Sequence, residues 1–148
     1  MIERRQNHNT PTCYAPSSAL PPVLVLEGKP ESASQAREFA RRSVRDHVPD
    51  ASEDHIDTVV LVVSELVTNS IRYGTRLGGL MHLTLDADGT RTRVEVLDSA
   101  SEQPAPRPES EQDIEHGRGL IILDALCPDW GVIKKPTGKC VWAEVKAR

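Results

Sequence analysis

Apolar and polar positions along the chain follow two rhythms, one of helical period and one of strand period. Over 31–47, Ala33, Ala36, Phe39, Ala40 and Val44 recur at helical spacing. Pro49 ends that helix, because the residue before a proline avoids the helical region. Ser52 is a good N-cap for a second helix, whose stripe of Ile56, Val59, Val60, Val63, Val67 and Ile71 marks the face that packs inward. This helix is expected to run to about Tyr73 and to stop at Gly74 as a C′ glycine. Residues 23–26 are a β-branched and Leu run, the mark of an edge strand. Residues 80–85 and 91–97 alternate with period two on either side of Asp88-Gly89, a tight-turn pair, and predict a hairpin. A short helix over 120–126 follows, then two closing strands, 130–133 and 141–145, around a Pro136-Thr137-Gly138 turn.

Between these elements, about 98–117 is polar, carries Pro104, Pro106 and Pro108, and has no period; such a stretch is expected to be a functional lid or disorder. Residues 1–20 read as a flexible tail, leaving 21–148 as one domain. The order of strand, two helices, hairpin, lid, short helix and hairpin predicts an α+β two-layer sandwich, with a mixed, mainly antiparallel sheet and the helices on one face.

Composition narrows the function. Only 3% of residues are aromatic, so the core must be aliphatic. The formal net charge of −4 lacks the basic excess of a duplex-binding surface, which argues against a direct nucleic-acid partner. No apolar run approaches the roughly 20 residues that cross a bilayer, and the first 22 residues lack the apolar core of a secretory signal. Cys13, Cys127 and Cys140 are odd in number and widely spaced, without a metal-ligand pattern. A cytoplasmic protein with reduced thiols, no membrane contact and no structural metal is expected.

The second helix carries the candidate chemistry. Glu65 and Asn69 lie four apart on the side opposite the apolar stripe, so their side chains are neighbours. Leu61, Val62 and Leu66 flank them where an ordinary surface helix would place Lys, Glu and Gln. A half-buried carboxylate is costly unless something pairs with it. A hard cation completed by waters and phosphates is one such partner, with Asn69 as magnesium ligand and Glu65 as general base. A structural hydrogen bond from Glu65 and a capping role for Asn69 fit the same spacing, and spacing alone leaves both readings open.

The run from Glu65 to Gly74, Glu-Leu-Val-Thr-Asn-Ser-Ile-Arg-Tyr-Gly, closely resembles the N box of the GHKL ATPase superfamily, which includes histidine kinases, gyrase-type ATPases and the anti-sigma-factor serine kinases. The resemblance covers roughly 21–148 and is closest to the small stand-alone anti-sigma-factor kinases. It implies the Bergerat, or histidine-kinase-like, ATPase fold, with ATP and Mg2+ as cofactors. By this resemblance Glu65 is the acid that polarises water or a substrate hydroxyl, and Asn69 is the magnesium ligand. Asp98, at a strand end, bonds the adenine amino group. Gly117-Arg118-Gly119 corresponds to the second glycine box, with Leu120 opening the helix behind it. Backbone N–H groups there attract phosphate and Arg118 adds charge. Two positions depart from the family pattern. The first glycine box reads Asp98-Ser99-Ala100-Ser101, without glycine, and Cys140 stands where the family tends to have a threonine that contacts adenine.

The resemblance implies a Mg-ATP-binding regulatory protein, an anti-sigma-factor-type serine/threonine kinase that phosphorylates a protein antagonist. Its partners would be that antagonist, a sigma factor, or both. A homodimer through the first strand and helix is a further expectation. The alternative is a nucleotide-dependent protein-binding module without phosphoryl transfer, which the altered glycine box and Cys140 favour. A sensor histidine kinase is not expected, since no phosphoacceptor-histidine helix is present.

Overall fold

Period-two alternation in the strands and a helical stripe facing it produce two layers. The computed structural model describes residues 20–74, 79–98, 123, 125–127, 129–136 and 138–147. Five strands, β1 (Val23–Glu27), β2 (Leu80–Ala87), β3 (Arg91–Asp98), β4 (Asp129–Lys135) and β5 (Gly138–Lys146), form one sheet in the order β1-β2-β3-β5-β4. Every neighbouring pair is antiparallel, so the described sheet is wholly antiparallel rather than mixed. Helices α1 (Ser32–His47) and α2 (Glu53–Asn69) pack side by side on one face. The α+β sandwich expected from the sequence is the fold observed, and β1 is an edge strand.

Met81, Leu83 and Leu85 on β2, Val94 and Val96 on β3, and Ala143 and Val145 on β5 form the helix-facing layer of the core. Ile56, Val59, Val63 and Val67 of α2 meet them from the predicted stripe. Val62 and Leu66, expected to border the polar side, are also buried. The small residues Ala36 and Ala40 let α1 approach a second side of α2, so α2 is covered by both sheet and helix. Arg37 reaches Ser64, Arg41 reaches Asp57 and Arg45 reaches Glu53 along the rim of the helix pair. These exposed contacts add at most about 1 kcal/mol each, so the α1–α2 interface is held by its apolar floor.

Local signals act as expected at most ends. Ser52 Oγ accepts from the His55 N–H at 3.1 Å, and Glu53 and Asp54 occupy the first turn, where the helix dipole favours acids. In the β2–β3 turn, Asp88 Oδ1 accepts from the Thr90 N–H, the Thr90 hydroxyl and the Arg91 N–H at 2.7–2.9 Å. Burial alone would raise the Asp88 carboxyl, but these hydrogen bonds outweigh it and hold the group below its ordinary value. The end of α2 differs from expectation. The α-helix stops at Asn69 and the chain continues as a π-helical turn, Ser70–Gly74, in which the Ser70 N–H bonds the Leu66 and Val67 carbonyls.

The second face of the sheet holds charge. Arg93 is 2% exposed, donates from Nε to Glu95 at 2.8 Å and from an Nη to Glu144 at 3.1 Å, and lies 4.4 Å over the Trp142 ring. Trp142 in turn lies across Gly131 of β4. The Arg91/Arg93/Glu95 side of the β3 alternation is therefore a packed ionic cluster at its centre.

Candidate functional site

The site is set by how α2 lies on β3. His55 Nε2 is 2.9 Å from Thr92 Oγ1, which ties the first turn of the helix to the start of the strand. From His55 to Asn69 the helix rises about 21 Å at ~1.5 Å per residue. From Thr92 to Asp98 the strand advances about 20 Å at ~3.4 Å per residue. The two elements run the same way, and the π-helical turn after Asn69 packs on β3. Equal rise from a shared anchor therefore brings the Glu65–Asn69 end of α2 to the Asp98 end of β3. π-Type turns inside helices are frequent at functional sites, since one wide turn re-aims the side chains beside it.

Glu65 and Asn69 are both half-buried. Among the described residues, neither side chain is engaged in a hydrogen bond or ion pair. A half-buried carboxylate without a partner is a costly arrangement that a bound cation or donor would relieve. No cluster of three or more His, Cys, Asp or Glu occurs among the described residues. A cation held here would therefore draw most of its ligands from a polyanion and water, which is how magnesium is usually bound and calcium is not. Asn69 would supply a carbonyl oxygen for it, and such a donor set fits magnesium.

Asp98 is 3% exposed on the helix-facing side of β3. In the register across the sheet it stands opposite Met81 on one side and Lys139 on the other. Cys140, by contrast, pairs with Leu97 and Ile133, and so projects to the opposite face. Cys140, expected to contact adenine, is thus one position out of phase with Asp98, because successive strand residues alternate faces. The residue that shares the face of Asp98 is Lys139, which sequence reasoning passed over. Counting strand period back from the Pro136–Gly138 turn against the β3 alternation would have found it. Gly117, Arg118, Gly119 and Leu120 lie outside the described residues, as does the greater part of the 98–117 stretch.

A cavity of about 620 Å³ opens at the other end of α2, lined by Ser52, Asp54, His55, Thr58, Leu126 and Lys146 among others. It is separated from Glu65 and Asn69 by most of the helix and belongs to a different end of the sandwich. No helix among the described residues is long and apolar enough to cross a membrane.

No curated protein matches this chain. The family described as Histidine kinase-like ATPase domain matches residues 26–145, which takes in the last two residues of β1, all of α1, α2, β2, β3 and β4 and nearly all of β5. With four-fifths of the chain matched and the two-layer fold in place, the chain belongs to the histidine kinase-like ATPase family.

Proposed function

We propose that this protein binds Mg-ATP between the C-terminal end of α2 and the Asp98 end of β3, and transfers phosphate to a serine or threonine of a protein antagonist in sigma-factor regulation. The observation that carries this reading is the shared end of α2 and β3, where two half-buried polar side chains, unengaged among the described residues, lie at the same end of the sandwich as a buried carboxylate. Asn69 would hold the magnesium, which supplies charge neutralisation to the phosphates. Asp98 accepts from the exocyclic amine of the base. Glu65, one turn before Asn69, would take the proton of a substrate hydroxyl. A domain of this size borrows its substrate hydroxyl from a partner, so positioning and charge dominate catalysis.

Calorimetry with Mg-ATP tests the binding half. Asn69→Ala should abolish magnesium-dependent binding, and Glu65→Ala should keep binding while losing turnover. Equal loss of binding in both variants would sink the division of roles, and no magnesium-dependent nucleotide binding by the wild type would sink the whole reading. ATP binding without phosphoryl transfer to any antagonist would leave the nucleotide-dependent binding module, the reading of a regulator that acts by being ordered.

A further inference from the structure

We propose that Lys139 reads the base edge beside Asp98, and that the pair makes the pocket selective for adenine over guanine. This rests on the nucleotide-binding reading above and adds a residue to it. Asp98 and Lys139 are directly opposite one another in the β3–β5 register. Directly opposed residues of an antiparallel pair share a face, with Cβ atoms about 4.5–5.5 Å apart. Asp98 is buried, and its other cross-strand neighbour is the apolar Met81, itself 0% exposed. Lys139 is therefore the charged residue on the flank of Asp98 away from Met81.

Lys139 stands opposite Lys134 on β4, so the row across the sheet reads Met81, Asp98, Lys139, Lys134. Like charges directly opposite repel, and opposite charges attract. Lys139 is half-buried, and Lys134 is exposed at the sheet edge. The long stem of Lys139 can lie along the apolar sheet and carry its head group beside the Asp98 end of β3.

An acceptor beside a donor is a hydrogen-bonding code. Ionised Asp98 can only accept, and the Lys139 ammonium can only donate. Adenine presents a donor at N6 next to an acceptor at N1, and so matches both at once. Guanine presents an acceptor at O6 next to a donor at N1, and so opposes both. A buried pair left unmatched rejects the wrong base far more strongly than an apolar wall does.

The test is a cycle between protein and ligand, read by calorimetry with magnesium present. The ligands are ATP, 1-deaza-ATP (a C–H in place of N1) and GTP, and the proteins are wild type, Lys139→Met and Lys139→Arg. The wild type should bind 1-deaza-ATP on the order of tenfold or more weaker than ATP, the size of a hydrogen bond to a charged donor. Lys139→Met should bind ATP and 1-deaza-ATP equally and should narrow the ATP-over-GTP preference, while Lys139→Arg should restore part of both. A purely structural Lys139–Asp98 pair would weaken all ligands alike and leave the ratios as in the wild type, and that outcome overturns the proposal. If the wild type binds none of the three, the nucleotide-binding reading fails and this proposal with it. If it binds ATP and Lys139→Met keeps the wild-type ratios, only the role of Lys139 fails.

Discussion

His55 Nε2 and Thr92 Oγ1 meet at 2.9 Å inside the sandwich, joining the first turn of α2 to the first residues of β3. Thr92 is fully buried and His55 is 7% exposed, so the bond closes one end of the layer interface. Its far consequence is the site, because the helix and strand are measured out from this anchor to Asn69 and Asp98.

The same bond makes stability depend on pH. Burial lowers the His55 pKa below its ordinary value of 6.5, and the Lys146 backbone offsets this only in part. The imidazole is therefore neutral in the folded protein at neutral pH. As pH falls through 6.5 the unfolded chain takes up a proton that the folded chain resists, so the His55 contribution is present above that pH and is lost on acidification. Thermal unfolding from pH 7.5 to 5 should show a falling midpoint, and His55→Gln should flatten that slope while lowering the midpoint at pH 7.5. An unchanged slope in the variant would remove His55 as its source.

Removing Arg93 should be among the most damaging single changes on the second face. Its guanidinium compensates Glu95, which is 5% exposed, and also reaches Glu144. Arg93→Met takes the guanidinium away from buried Glu95 and from Glu144, at a cost of about 3–5 kcal/mol in urea unfolding. Arg93→Met with Glu95→Leu should recover much of the loss, since replacing both members of a buried ion pair costs less than removing one. A double variant no better than the single would show that packing on Trp142, rather than charge, is what Arg93 contributes.

Gly131→Ala tests the floor under Trp142. A Cβ at Gly131 would meet Trp142 Nε1 at 2.9 Å and two further ring atoms at 3.1 Å. The indole is held from above by Arg93, so it cannot lift without breaking that contact. A destabilisation of about 1–3 kcal/mol is expected, the usual cost of overpacking. A shift in tryptophan fluorescence should accompany it, and an unaltered urea midpoint would contradict the close approach.

Cys127 should be inert while the protein is folded. It is 3% exposed, and burial pushes its thiol up to about 12. At pH 8 almost none is thiolate, and thiolate is the reactive form. Alkylation of Cys127, followed by peptide mass analysis, should proceed only at the rate at which denaturant opens the fold. Rapid labelling in native buffer would show that Cys127 is reached without unfolding.

Much of the architecture is written in local pattern. The α2 stripe, the Ser52 cap, the Asp88 turn and the edge position of β1 each depend on a few neighbouring residues, and each is found where the pattern puts it. Glu65 and Asn69 belong to the same class, because helical spacing alone makes them neighbours. The order β3-β5-β4, the π-helical turn after Asn69 and the Arg93–Trp142 cluster depend on pairings between distant segments, which no local period encodes. Burial of Val62 and Leu66 likewise required α1 to close a second side of the helix.

The difference is sharpest at Cys140 and Lys139. By itself the sequence determined a two-layer α+β domain, a helix presenting an acid and an amide, and a strand ending in Asp98. Only tertiary structure decided which β5 residue faces that aspartate, because a single step along a strand turns a side chain to the other face of the sheet.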